Sequence, residues 1–346
     1  MFIYLSSGLF LGWSLGANDA ANVFGTAVGT RMLRFRTAAV LGAICVVIGA
    51  VLEGSGPSAT LGKLGAVDAI GGAFTVALAA AISVTLMTRL KIPVSTSQAI
   101  VGAIVGWNLF SGHSTDYYTL LRIVATWVVC PGLAALFATG IYYVVRALLE
   151  KCKIHLLTLD AYTRMGLIVV GMAGAYSLGA NNIANVMGVF VPAAPLPDIQ
   201  ITSGLAITGT QLLFLLGGIA ISVGIFTYSH HVMETVGRDL FRLSPITAFI
   251  VVLSHSMVLY VFASEGLRGA LTSLGLPSIP LVPVSSSQAI VGAILGIALA
   301  KGARNIDWRV LGGIASGWVT TPFLAGGVSY VTLFIMQNVF DVVVAQ

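Results

Sequence analysis

Apolar residues run along this 346-residue chain in long blocks, without the three-to-four or two-residue alternation of a surface helix or a half-exposed strand. Crossing a bilayer takes roughly 17 to 25 residues. Blocks that meet or exceed this length read at 2–30, 37–53, 67–88, 93–110, 119–149, 163–192, 201–227, 245–264, 283–300 and 310–345. Several are longer than one span needs and contain Gly or Pro, which predicts tilted, broken or re-entrant helices. The first block lacks a basic leader and an obvious cleavage site, so it reads as structure and not as a removable signal. The pattern predicts an all-α integral membrane protein of about 10–12 membrane segments.

Composition agrees: charged residues are 8% of the chain and hydrophobic residues 57%. A water-soluble globule of this size has too little interior to hide so much apolar surface. The formal charge of +5 is concentrated in alternate connections. Arg31, Arg34 and Arg36 follow the first block, Arg89 and Lys91 the third, and Arg146, Lys151, Lys153 and Arg164 surround the central connection. Arg238 and Arg242, then Lys301, Arg304 and Arg309, complete the set, and the intervening loops around 54–66, 111–118, 193–200 and 265–282 are nearly devoid of basic residues. This is the pattern of cytoplasmic loops against a lipid bilayer, not a nucleic-acid surface. It predicts a multi-pass protein of the plasma membrane with both termini extracytoplasmic. Cys45, Cys130 and Cys152 are widely spaced and form no disulfide or zinc pattern. No phosphate-binding loop or dinucleotide fingerprint appears, so neither a cofactor nor catalysis by this chain is expected.

The chain repeats itself. The run Gly16-Ala17-Asn18-Asp19-Ala20-Ala21-Asn22-Val23 returns as Gly179-Ala180-Asn181-Asn182-Ile183-Ala184-Asn185-Val186, and residues 93–104 return almost unchanged as 283–294. Five blocks in each half are an odd number, so the second copy enters the membrane from the opposite side. Two inverted-topology repeats, 1–160 and 161–346, with discontinuous helices meeting near the midplane, are a recurring plan for secondary transporters.

The repeated motifs supply the polar chemistry. Asn18, Asp19 and Asn22 offer hard oxygen donors in an apolar setting, and Asn18 and Asn22 share one helix face. An ionised Asp at that depth calls for a cation, a proton or water. Unwound carbonyls beside Gly16 would complete a shell for Na⁺ at Asn18, Asp19 and Asn181, or Asp19 would carry H⁺. The matching set in the second half is Asn181, Asn182 and Asn185. Pro93-Val94-Ser95-Thr96-Ser97-Gln98 and Pro283-Val284-Ser285-Ser286-Ser287-Gln288 are helix-start signatures. A helix that begins inside the membrane points free N–H groups and a partial positive charge at its target, and these hydroxyls and amides add neutral donors. Two such starts suit one tetrahedral oxyanion. Glu53 reads either as a headgroup-level residue or as part of the pathway, and Glu265 as solvated. His255, alone in an apolar stretch, reads as a histidine satisfied by a neighbouring backbone group, with a ligand role as the alternative, and His230, His231 and Glu234 are too few for a metal site.

With these paired motifs the chain resembles, over both halves, the inorganic phosphate transporter (Pit) family of secondary carriers. The resemblance implies an inverted-repeat fold and uptake of inorganic phosphate coupled to Na⁺ or H⁺. By position it makes Ser95–Gln98 and Ser285–Gln288 the anion cradle, and the two Asn/Asp sets the cation-coupling residues. Two departures stand out: Asn182 occupies the place of the second motif's carboxylate, and the stretch through Val251 and Val252 lacks a glutamate common in the family. Both remove proton-accepting capacity, which keeps sulfate permease as the alternative to phosphate, since the family includes sulfate carriers. A passive anion channel and an intramembrane hydrolase using Ser97 or Ser287 with His255 are the rival classes. Such carriers commonly pair, so a homodimer is an allowed assembly.

Overall fold

Burial in the computed structural model runs opposite to that of a water-soluble domain. Val128, Leu136, Val319, Phe323 and Phe334 stand on the outer surface of long helices, while Asp19, Gln98, Asn181, Asn185 and His255 are inside. Such an exterior is stable against lipid tails, and the polar interior then requires internal partners. The structure describes residues 2–89, 94–152, 154–202, 205–235, 243–302 and 308–346. Pro93 and the basic residues Lys91, Lys153, Arg238, Arg242 and Arg304 lie outside them.

The first half comprises α1 (Phe2–Gly29), α2 (Phe35–Glu53), α3 (Ser55–Leu64), α4 (Ile70–Arg89), α5 (Thr96–Ser111) and α6 (Tyr117–Lys151). The second comprises α7 (Leu156–Met187), the single turn α8 (Phe190–Ala193), strands β1 (Ile199–Thr202) and β2 (Leu205–Ile207), α9 (Gly209–Thr227), α10 (Ser229–Thr235), α11 (Pro245–Val261), α12 (Glu265–Ser273), α13 (Ser286–Ala300) and α14 (Trp308–Phe340). Among the described residues α2, α4, α6, α7, α9 and α14 are long and apolar enough to span a membrane. The pair α11–α12, bent by 71°, adds a seventh if it is counted as one span. The 16 residues of α5 and 15 of α13 give rods of about 24 and 22 Å, short of the hydrocarbon thickness, so these helices begin inside it.

Several expectations are corrected. Gly16 is not unwound: α1 is helical from Phe2 to Gly29, straight through the first Asn-Asp motif. The stretches 54–66 and 265–282, read as loops, contain α3 and α12. Both helices are short, and α12 has no buried residue, so neither leaves a long apolar window in the sequence. The block at 201–227 begins with an antiparallel hairpin pairing Ile199 with Ile207, and only then becomes α9.

The halves are interlocked through reciprocal contacts. Helix α2 packs on α7 and α9 on α1, while α5 packs on α14 and α13 on α6. Each short helix is therefore held by the last long helix of the other half. Glycines make the close approach possible. A side chain at Gly102 of α5 would strike the carbonyl of Pro322 in α14, and one at Gly292 of α13 would strike that of Pro131 in α6. The α1–α9 crossing repeats the scheme, with Gly16 against the Ile221 carbonyl, and Gly179 of α7 against the Val46 carbonyl of α2 mirrors it. Pro131 and Pro322 sit inside their helices, where each removes an N–H that would have bonded a carbonyl four residues earlier.

Candidate functional site

The starts of α5 and α13 meet at the centre of the molecule. Ser95 caps α5 by accepting from the Gln98 N–H, and Ser285 caps α13 by accepting from the Gln288 N–H, each at 3.3 Å. With the caps made locally, the next hydroxyls reach across. Ser97 Oγ donates to the Val284 carbonyl at 2.9 Å, and Ser287 Oγ donates to the Val94 carbonyl at 3.2 Å. These are the same bond made twice, once from each repeat. Ser287 Oγ also lies 3.0 Å from Ser285 Oγ.

The Asn motifs flank this junction. Asn185 Nδ2 donates to Ser97 Oγ and to Asn182 Oδ1, both at 2.9 Å. Asn181 clasps the extended backbone entering α13, with Nδ2 donating to the Val282 carbonyl at 3.0 Å and Oδ1 accepting from the Val284 N–H at 2.8 Å. On the other side Asn22 Nδ2 donates to Ser286 Oγ at 3.0 Å, and Asn18 Nδ2 donates to Asp19 Oδ1 at 3.0 Å. Asp19 is 3% exposed and forms no ion pair among the described residues. The structure thus ties Asn22, Asn181, Asn182 and Asn185 to the two helix starts and sets Asp19 one turn of α1 before Asn22.

The junction retains polar capacity beyond these bonds. Thr96 Oγ1, Gln98 Oε1, Gln288 Oε1, Asn182 Nδ2 and Asn185 Oδ1 are buried without a hydrogen-bond partner among the described residues. Unmet polar groups of this kind cost stability in an apolar surround. Thr96 Oγ1 and Asn182 Nδ2 can donate to an anion, whereas Gln98 Oε1, Gln288 Oε1 and Asn185 Oδ1 accept, and suit water, a cation or a substrate hydroxyl. The first N–H groups of two opposed helices add donors and partial positive charge at the same place. The helix N–H groups with Thr96 Oγ1 and Asn182 Nδ2 suit an oxyanion, and Asp19 with its amide neighbours suits a small cation as co-substrate. No group of three or more His, Cys, Asp or Glu side chains suited to a metal occurs among the described residues.

Glu53 lies apart from this centre. At the exposed end of α2 it accepts from the Glu265 N–H at 3.1 Å, while Glu265 accepts from Ser55 Oγ at 3.1 Å, which ties α2, α3 and α12 together at the rim. His255 is at the centre, contrary to its reading as a lone core histidine: its Nε2 lies 2.9 Å from Ser286 Oγ, and Nδ1 has no partner among the described residues. The residue gave no signal in the sequence because its partner is 31 positions away and it belongs to neither repeated motif. A hydrolytic Ser–His pair needs a third group to orient the ring. Here Nδ1 meets none, and Ser286 rather than Ser97 or Ser287 is the serine in contact.

The chain is similar to known proteins over most of its length. The model of a phosphate transporter family matches residues 15–159 and again residues 157–329. A protein of Methanocaldococcus jannaschii named "Putative phosphate permease" is 30% identical over 91% of this chain and 91% of its own length. The sulfate permease CysP of Bacillus subtilis is 30% identical over 96% of this chain and 88% of its own. A solved structure titled as the sodium-dependent phosphate transporter has the same fold, with a TM-score of 0.77 at 24% identity, covering 97% of this chain and 98% of that one.

Proposed function

The chain belongs to the phosphate transporter family, and from that premise we propose that it is a secondary symporter that brings inorganic phosphate into the cell with Na⁺ or H⁺ by alternating access. One observation carries the reading: two helix starts from opposite repeats cross-bond through Ser97–Val284 and Ser287–Val94, with unpartnered buried polar atoms on both. A continuous pore needs several weak sites in series. A single junction closed from both sides suits one occluded substrate.

In this mechanism a cation settles near Asp19 and lowers the cost of bringing a divalent anion to mid-depth. Opposite charges about 5 Å apart interact by roughly 3 kcal/mol at an effective dielectric near 20. That is enough to make anion affinity depend on the cation by about a hundredfold. The half-sites close on the anion through hydroxyls, amides and helix N–H groups, none of which carries a formal charge. Release then requires breaking hydrogen bonds and not a tight ion pair. Parting of the two starts on the cytoplasmic side completes the cycle.

Sulfate is the second reading. Asn182 leaves one half-site without a carboxylate to take the proton of hydrogen phosphate, and the sulfate permease relative matches at the same identity as the phosphate permease. Uptake into liposomes, with phosphate and sulfate competing and the Na⁺ and H⁺ gradients imposed separately, tests the proposal. Saturable phosphate uptake driven by one cation gradient is expected. Uptake indifferent to both gradients would mean a channel, and preference for sulfate would install the second reading.

A further inference from the structure

We infer that His255 is a proton-binding site in the wall of the anion cradle, so that protonation and anion occupancy are linked. This inference rests on the cradle proposed above and identifies one chemical route for H⁺ to enter the cycle.

The hydroxyl of Ser286 has one hydrogen to give and two lone pairs to offer. Asn22 Nδ2 takes one lone pair at 3.0 Å, and His255 Nε2 stands 2.9 Å away. If neutral Nε2 is bare, it accepts the Ser286 hydrogen, and the hydroxyl has nothing left to donate to an anion. If Nε2 carries hydrogen, it fills the second lone pair and turns the Ser286 hydrogen outward. Protonation resolves the choice: an imidazolium carries hydrogen on both nitrogens, so Nε2 must donate. The Ser286 hydroxyl is then free for an anion oxygen, and a positive charge stands behind it. With Nε2 donating to Ser286, an imidazolium carries its other hydrogen on Nδ1, which is buried without a partner among the described residues and whose N–H would be met by water or an anion oxygen.

The asymmetry of the repeat points the same way. Ala73-Phe74-Thr75-Val76-Ala77-Leu78 of α4 is matched in α11 by Ala248-Phe249-Ile250-Val251-Val252-Leu253. Two residues further on stands Ala80 in the first half and His255 in the second. Likewise Asp19 of α1 is matched by Asn182 of α7. Both ionisable groups therefore belong to the half-site formed by α1, α11 and the start of α13. The half-site formed by α7, α4 and the start of α5 offers Asn181, Asn182, Asn185, Ala80 and a Thr96 hydroxyl without a partner among the described residues.

Helix α11 packs against α1, α6, α7 and α13. Of these, α1 carries Asp19 one turn before Asn22, which shares Ser286 with His255, and α6 carries Cys130, whose Sγ lies 3.8 Å from the Ser285 carbonyl. Residues 286–300 of α13 contain no ionisable side chain, and Asn181, Asn182 and Asn185 of α7 are neutral. Arg146 and Lys301 stand by Ser244 at the far end of α11, about 16 Å along the helix, and Asp160 and Arg164 pair with each other at the start of α7. Among the described residues Asp19 is thus the acidic group of this half-site, and a proton on His255 adds positive charge beside Ser286 before the anion enters.

The test compares the purified parent with His255→Gln, whose amide can still donate to Ser286 and cannot take a proton in this range. Phosphate binding is measured by calorimetry at fixed Na⁺ from about pH 6 to about pH 8. Phosphate's own titration is common to both proteins and cancels in the comparison. The parent is expected to lose roughly tenfold more affinity across that range than the variant. An identical pH dependence in both would overturn the inference. A variant that fails to fold or bind transfers the decision to the parent, labelled with ¹⁵N-histidine. There, addition of phosphate at fixed pH should move the His255 resonances towards imidazolium, and a ring that stays neutral counts against the site. A parent that binds no phosphate at any pH would remove the transport reading itself, a result distinct from either.

Discussion

At the scale of single residues, the site divides into groups that hold the helix starts together and groups that retain capacity for a ligand. Ser97 and Ser287 belong to the first group in this state and to the second once the starts part, since each spends its one hydrogen on a carbonyl of the opposite repeat and donates to an anion only by giving that bond up. Ser97→Ala and Ser287→Ala should each weaken phosphate binding about 5- to 10-fold, the worth of one buried hydrogen bond plus an orphaned carbonyl; binding assays on purified protein will show it. Asp19 is buried without an ion-pair partner among the described residues, so Asp19→Asn should leave a folded, monodisperse protein that has lost cation-stimulated uptake in proteoliposomes. Retention of that stimulation would place the coupling cation elsewhere. These residues were legible in the sequence because each motif occurs twice in the same order, which chance packing of Gly-rich helices does not produce. His255 was not legible: its meaning depends on Ser286, a contact made across two elements, and no local pattern encodes it.

At the scale of elements, hydropathy blocks located the long helices, because a bilayer imposes a length that soluble helices do not share, although the starts of α7 and α9 lie seven and eight residues from the block edges at 163 and 201. It missed α3, α12 and the 199–207 hairpin, which are short and lie where no long apolar run is required. The glycine pattern was visible, but its purpose was not, since a close approach is a property of two helices. Gly102 and Gly292 abut the carbonyls of Pro322 and Pro131, whereas Gly132, on α6, has open space where a side chain would go. Gly102→Ala and Gly292→Ala should therefore force the helix pairs apart and destabilise the protein by about 1–3 kcal/mol. Gly132→Ala should be neutral or slightly stabilising, as expected for a helix interior without a clash. Thermal unfolding in detergent compares the three directly, and equal shifts would show that the crossings are more compliant than drawn.

At the scale of the molecule, the repeat was legible but the exchange of helices between halves was not, because a sequence shows order along the chain and not which copy a helix packs against. The charge pattern does bear on orientation. Cys152 is exposed beside Lys151, at the centre of the basic connection, whereas Cys130 is buried. If that connection faces the cytoplasm, a membrane-impermeant maleimide should modify Cys152 in inside-out vesicles and leave it untouched in intact cells. Labelling from outside would reverse the whole molecule. The outer apolar band and the polar interior would stand either way, since they follow from lipid contact and not from orientation.

The interlocking also sets what a lone half could do. Helix α5 finds its seat on α14, and α13 on α6, so an isolated first half would display an unclad short helix and an unoccupied groove of the same kind. Two identical copies could satisfy each other only by lying head to tail across the bilayer, one threaded in each direction. A polypeptide able to do so must be indifferent to which way round it is inserted. The tandem chain escapes that requirement by writing the opposed orientations into one strand, which frees each side to carry what the other lacks.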